Sequence, residues 1–306
     1  MNPILEINDL RKSFGSNKVI DGISLSVPEG SIFGFIGANG AGKTTTMKMV
    51  LGLLASDGGE IRVCGKRVQF GATSTAPLVG YLPDVPEFYG YMKPREYLRL
   101  CGEIAGMSSS AIKERSDKLL ALVGLAKANK KIGSFSRGMK QRLGVAQALI
   151  NSPRLLICDE PTSALDPMGR KEILDILASI RGETTVIFST HILSDVERIC
   201  DRAAVLHGGK LVMNGTLAEL RGAGRTDTLR IEFSTLADLD RFGTLAPRPL
   251  FGDVTRDVNT LTIRSREIGW AHTATLRTLA DNSILPIRVE LLEPTIENLY
   301  LEAITK

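Results

Sequence analysis

The chain opens by alternating short apolar runs with turns. "ILEINDL" (4–10), "GISLSVPEG" (22–30) and "EIRVCG" (60–65) each read as a strand bounded by turn residues. "SIFGFIG" (31–37) has the continuous apolar character of a buried strand, and "KTTTMKMVLGLL" (43–54) the spacing of a helix after it. Residues 94–127 carry apolar positions at helical spacing and no β-rich run. "RLLICDE" (154–160) is again of the buried-strand type, ahead of a loop and a helix over Arg170–Ile180. "TTVIFSTH" (184–191) reads as a strand and "LSDVERIC" (193–200) as a helix. "RAAVLHGGKLVMNG" (202–215) reads as a hairpin turning at Gly208 and Gly209. Strands alternating with helices predict an α/β layer architecture.

A different pattern begins after "GAGRTDT" (222–228), a small, polar stretch suited to a linker. Strands are expected at 229–234, 260–265 and 286–293, and a helix over Gly269–Ala280. "PTIENLYLEAI" (294–304) predicts a last helix with Pro294 in its first turn. The chain therefore divides into a larger α/β domain, 1–222, and a small α+β domain, 223–306.

Composition narrows the function classes. With 306 residues, 43% hydrophobic and 24% charged, the chain has ordinary globular composition. A net charge of +4 is too weak to point to nucleic acid. Cys64, Cys101, Cys158 and Cys200 show no CxxC spacing and read as reduced thiols of a cytosolic protein. The N-terminal segment lacks the apolar core of a signal peptide. No run approaches the roughly 18 apolar residues that span a bilayer. Work at a membrane would need a second chain to supply the span.

The strongest chemical signal is "GANGAGKTTT". Gly37, Ala38, Asn39, Gly40, Ala41, Gly42, Lys43, Thr44 and Thr45 contain the G-x-x-x-x-G-K-[ST] pattern, after a strand and opening a helix. Such a loop wraps phosphates with backbone N–H groups, which side chains would obstruct. The helix N-terminus favours the anion. Lys43 is placed to reach the β- and γ-phosphates and Thr44 to offer its hydroxyl to Mg2+. A chance match arises in roughly one chain per hundred of this length from residue usage alone, and the strand–loop–helix context lowers that.

A second signal is the apolar strand ending in Asp159 and Glu160. Two carboxylates there could be solvated acids at a strand end. Beside a phosphate loop, they suit a metal ligand (Asp159) and a group that polarises water (Glu160). The guanine-reading N/T-K-x-D pattern is absent, since "NKVI" from Asn17 ends in Ile20, so the nucleotide expected is ATP.

Together with "SFSRGMKQR" (134–142), these motifs in this order resemble the ATP-binding subunits of ABC transporters over about residues 3–220. The resemblance is nearest to bacterial subunits that pair with a separate permease, usually for export. It implies a P-loop NTPase of ABC type: a mixed sheet core, an antiparallel β subdomain and a helical subdomain at about 85–150. It also implies ATP and Mg2+ as cofactors. Phe14 falls where the family stacks an aromatic ring on adenine, although a core aromatic is the competing reading. "FSRGM" (135–139) occupies the signature position, with Ser136 and Gly138 serving the ATP of a second copy. Glu160 matches the catalytic glutamate, and Asp166 closes the "SALD" loop that crosses between subunits. His191 matches the switch histidine that senses the γ-phosphate.

The chain departs from the family pattern at three positions. In the signature, Arg137 stands where a glycine is usual and Met139 where a glutamine is usual, and Asp84 stands where a glutamine approaches the metal and water. A carboxylate at 84 could ligate Mg2+, but it would repel a bare phosphate. The segment "KPREYLRL" (93–100) reads equally as a solvated helix face or as a permease contact.

The resemblance implies an ATPase that powers export through a separate permease by head-to-tail closure of a homodimer, held at the cytoplasmic face of the membrane. An importer subunit and a soluble mechanical ATPase acting on ribosomes or DNA are the alternatives. The latter fits poorly with a single set of motifs, no sustained heptads between 45 and 134, and a near-neutral charge.

Overall fold

The computed structural model describes residues 3–223, 227–245, 253–265, 267–292, 297 and 299–300. The chain forms two compact units, residues 1–217 and 218–306.

In the first unit, β1 (Pro3–Phe14) and β2 (Asn17–Pro28) pair antiparallel, turning at Gly15, which has φ +60°. β1 also pairs with β4 (Gly58–Val63), which carries the two-residue β5 (Lys66–Arg67). This sheet runs in the order β2-β1-β4-β5. β1 extends four residues past the apolar run 4–10, because β2 pairs with the polar residues Arg11–Ser13 through irregular register.

The central sheet has six strands: β3 (Ile32–Ile36), β6 (Val79–Leu82), β7 (Leu155–Asp159), β8 (Thr185–Thr190), β9 (Arg202–His207) and β10 (Lys210–Thr216). Their order is β10-β9-β3-β8-β7-β6. All neighbours are parallel except β9 and β10, which form the hairpin expected over 202–215. Every residue of β3, β7 and β8 is buried, which accounts for their unbroken apolar character. β6 carries only four residues, too few to show a period.

This register sets the site. Ile36 pairs with Thr190, and Asp159 with Ser189, so the carboxyl ends of β3, β8 and β7 lie side by side. Ligands of parallel α/β sheets bind outside that edge. α1 (Lys43–Val50) starts there and is shorter than the 43–54 pattern: Leu51 caps it, and Gly52 at φ +71° turns the chain away. "GLL" belongs to the turn after the helix.

The helical pattern at 94–127 is two helices, α2 (Pro94–Ile104) and α3 (Ser109–Leu122). Gly106, at φ +75°, breaks them, and Met107 N–H returns to the Gly102 carbonyl at 3.0 Å. Ser108 then caps α3 by accepting from Ala111 N–H. α4 (Arg137–Ala148) packs closely on the 80–86 segment. A Cβ on Gly80 would meet the Ala148 carbonyl oxygen at 2.1 Å, and one on Gly144 would meet Leu82 Cδ1 at 2.6 Å. α5 (Pro167–Ser179) and α6 (Leu193–Ile199) follow β7 and β8. α6 presses on β3, where a Cβ on Gly34 would meet Val196 Cγ1 at 2.8 Å. Cys158 and Cys200 are buried, and Cys64 and Cys101 are half-buried; all four are free thiols.

After α7 (Leu217–Ala223), the chain continues with β11 (Thr228–Phe233), α8 (Leu236–Leu245), β12 (Asp253–Asp257), β13 (Thr260–Arg264), α9 (Ile268–Asp281) and β14 (Pro286–Leu292) in the second unit. The sheet order is β12-β13-β11-β14, all antiparallel. This is the βαββαβ arrangement of the ferredoxin-like motif. Leu229, Ile231, Phe233, Leu239, Phe242 and Ile263 form its core. β12 and α8 escape the sequence pattern, and all five residues of β12 are exposed, which leaves no apolar alternation to read. Residues 224–226 of the expected linker, and most of the helix expected over 294–304, lie outside the described residues.

Candidate nucleotide site

The phosphate loop runs from the end of β3 into α1. Gly37 packs so tightly that a Cβ would sit 2.7 Å from the Leu206 carbonyl oxygen. Gly42 takes φ +106°, and a Cβ there would meet Ile20 Cδ1 at 2.6 Å. Both positions require glycine. Gly40, at φ +80°, faces open space. The N–H groups of Lys43, Thr44 and Thr45 belong to the first turn of α1 and have no acceptor within the helix. They and the dipole of α1 offer an anion site. Residues of this kind fit a polyphosphate.

The loop forms one wall of a cleft of about 390 Å3. Asn39, Gly40, Gly42, Lys43, Thr44, Thr45, Asp84, Asp159, Glu160, Ser163 and His191 line it. Lys43 is buried. Its Nζ donates to the Gly37 carbonyl at 2.7 Å and the Ala38 carbonyl at 3.2 Å, and it pairs with Glu160 Oε1 at 3.0 Å. The other Glu160 oxygen lies 2.9 Å from His191 Nδ1. Nδ1 carries the proton if it is to donate there, which leaves Nε2 available.

Glu160 leaves the end of β7 in the left-handed region at φ +48°. That backbone is costly for a residue with a side chain and persists only where its surroundings hold it. Ser189 is what holds it: the Glu160 N–H donates to the Ser189 carbonyl at 3.2 Å and to Ser189 Oγ at 3.0 Å. The Ser189 hydroxyl donates in turn to Asp159 Oδ1 at 2.5 Å. One buried hydroxyl thus ties the Asp159 carboxylate to the backbone of Glu160.

Four of the remaining candidates lie away from the cleft. Ser136 caps α4, accepting from Met139 N–H at 3.3 Å. Among the described residues, a Cβ on Gly138 would touch nothing within 4 Å, so the turn is open. Asp166 caps α5 through Gly169 N–H at 3.0 Å. Phe14 is 52% exposed at the tip of β1, with Lys12 Nζ 5.4 Å from its ring centre. The competing reading of Phe14 as a core aromatic is therefore excluded.

A hidden network stands behind the Ser163–Asp166 loop. Asp195 is buried, accepting from Thr162 Oγ1 at 2.7 Å and from Arg170 Nε at 2.6 Å. Sequence reasoning passed over Ser189, Thr162, Arg170 and Asp195. Asp195 lies 33 residues beyond Thr162 and 25 beyond Arg170 in the chain, outside any motif that includes them. Ser189 had one weak signal, a polar residue near the end of an otherwise apolar strand.

Among known proteins, the ABC transporter family model matches residues 20–163. The bacitracin transport ATP-binding protein BcrA of Bacillus licheniformis is 41% identical over 215 residues, covering 69% of this chain and 69% of that protein. The chain belongs to the ABC transporter ATP-binding proteins. The Nod factor export ATP-binding protein I of Ralstonia nicotianae is 37% identical over 220 residues, covering 71% of this chain and 68% of that one. The solved structure of an ATP-binding subunit of an ABC transporter superposes with TM-score 0.66 at 32% identity, covering 72% of this chain and 92% of that one. The fold is accordingly that of the ABC ATPases, a family that binds and hydrolyses ATP to power transport. ABC ATP-binding subunits work with membrane permease subunits. Among the described residues of this one, no helix is long and apolar enough to cross a membrane.

Proposed function

We propose that this ABC ATP-binding subunit powers export through a separate membrane permease, and that it does so as a head-to-tail homodimer held at the cytoplasmic face. The observation that supports this best is a division of the site. Lys43, Glu160 and His191 converge in the cleft, while Ser136 and Gly138 sit on an open turn outside it. An ATP bound in the cleft would meet the Ser136–Gly138 turn of a second copy, with Phe14 stacking on its adenine. The direction of transport draws on the relative named for Nod factor export.

Thr44 and Asp159 are hard oxygen donors on the same cleft, the class that Mg2+ takes while keeping phosphate and water ligands. Mg2+, when bound with ATP, would neutralise charge developing on the phosphates. Lys43 would hold the phosphates. Glu160 would accept a proton from the attacking water, with His191 Nδ1–H fixing the carboxylate's orientation.

Glu160→Gln tests this reading. The variant keeps the fold's shape but loses the base, so turnover should fall by about a hundredfold or more. With saturating ATP it should elute as a dimer in size-exclusion chromatography. A variant that stays monomeric under those conditions overturns the shared-site reading, and a permease that fails to co-purify with the chain overturns the partner assignment.

A further inference from the structure

The cleft carries an electrostatic problem that the residues above do not resolve. Three carboxylates line it: Asp84, Asp159 and Glu160. Asp159 is held by Ser189, and Glu160 by Lys43 and His191. Asp84 Oδ1 is buried and, among the described residues, accepts no hydrogen bond. A bare carboxylate facing a triphosphate opposes binding.

The cation beside it comes from an unexpected place. Arg137 Nη2 lies 4.0 Å from Asp84 Oδ1. Arg137 is the first residue of α4, directly after Ser136. Two of the three positions where this chain departs from the ABC pattern, separated by more than fifty residues, face each other within one chain. Their approach is enforced by packing. The Gly80 and Gly144 contacts press α4 onto the 80–86 segment with no room for a methyl group. Backbone rather than flexible side chains sets that spacing at Gly80, and Gly144 packs against Leu82 and Pro86 on either side of Asp84, so α4 stays against the segment that carries Asp84.

We propose that Arg137 is a positioning residue for its own chain's nucleotide site: its guanidinium screens the Asp84 carboxylate and so lets the cleft accept phosphate. The proposal rests on the reading of the cleft as an ATP site. Arg137 acts through Asp84 and needs no contact with the nucleotide. The screening matters most for ATP without metal, since a bound cation would itself neutralise Asp84.

The experiment is a double-mutant cycle read by equilibrium binding of ATP in EDTA, using the full chain and the variants Arg137→Ala, Arg137→Lys, Asp84→Asn and Asp84→Asn/Arg137→Ala. A half-exposed ion pair at this distance couples by about three- to fivefold. Arg137→Ala should therefore weaken metal-free ATP binding by about that factor, and Arg137→Lys should restore it. In the Asp84→Asn background, the same Arg137→Ala change should have no effect, because there is no carboxylate left to screen. Thermal melts of each variant without nucleotide check that the fold is intact. The proposal is overturned if Arg137→Ala weakens binding equally in both backgrounds, which would place Arg137 directly on the nucleotide. It is also overturned if the change does nothing in either. A wild-type chain that binds no ATP, with or without Mg2+, would instead remove the parent reading and this one with it.

Discussion

Lys43 Nζ lies 3.0 Å from Glu160 Oε1 and 2.7 Å from the Gly37 carbonyl oxygen. The lysine expected to hold phosphate and the carboxylate expected to activate water hold each other. Any anion entering the cleft must compete with Glu160 for Lys43.

That competition separates binding from turnover. Glu160→Gln removes the competing charge and should tighten ATP binding by about three- to tenfold even as hydrolysis collapses. Lys43→Ala should weaken binding by about tenfold or more, and it strands Glu160 in the same cleft. Titration with a fluorescent ATP analogue reads both. Equal weakening by the two variants would refute the competition.

Ser189 is fully buried and serves Asp159 and the Glu160 backbone together. Ser189→Ala leaves a buried carboxylate oxygen and a strained turn without that partner. The cost should be about 1–3 kcal/mol in urea unfolding. Turnover should fall by about tenfold, with a higher Mg2+ requirement, since Asp159 loses its orientation. A variant with wild-type stability and Mg2+ dependence would show that the hydroxyl is dispensable.

The Asp195 carboxylate depends on Arg170 for its charge partner and on Thr162 for its second hydrogen bond. Arg170→Ala uncovers a buried charge and should cost about 3 kcal/mol of stability. Asp195→Asn/Arg170→Ala should recover part of that loss, because no charge is then left unpaired. Denaturant midpoints of the single and double variants measure the coupling.

Alkaline pH should weaken the first unit. Burial is the leading cause that raises the Tyr81 and Tyr97 hydroxyls to about 12, with nearby acidic groups adding for Tyr81 through Asp159 and for Tyr97 through Cys101. The folded state therefore keeps protons that the unfolded chain releases near its ordinary tyrosine value of about 10. The stability this represents is intact below pH 10 and declines as pH rises from about 10 to about 12. Tyr81→Phe and Tyr97→Phe should each flatten that decline, followed by circular dichroism across the window.

Much of this protein is local in the chain, and that part was legible. The phosphate loop needs Gly37, Gly42 and Lys43 at set spacing, because one strand, one turn and one helix build it. The Asp159–Glu160 pair announces itself by ending an apolar strand with charge. The buried strands β3, β7 and β8 show as continuous apolar runs because both their faces are covered. Short or exposed elements such as β6 and β12 left no pattern, since four residues cannot display a period and a solvated strand has no apolar face.

The pairings across the chain were decided only by the tertiary structure. The parallel register of β7 and β8 sets Ser189 beside Asp159, and nothing near Ser189 in sequence foretells a hydroxyl joining the Asp159 carboxylate to the Glu160 backbone N–H. The close packing of α4 on the 80–86 segment brings Arg137 to Asp84, turning two separate oddities of sequence into one ion pair. Motifs record what a short segment can do by itself. Charge partners depend on which segments pack together, and that is settled by burial summed over the whole unit.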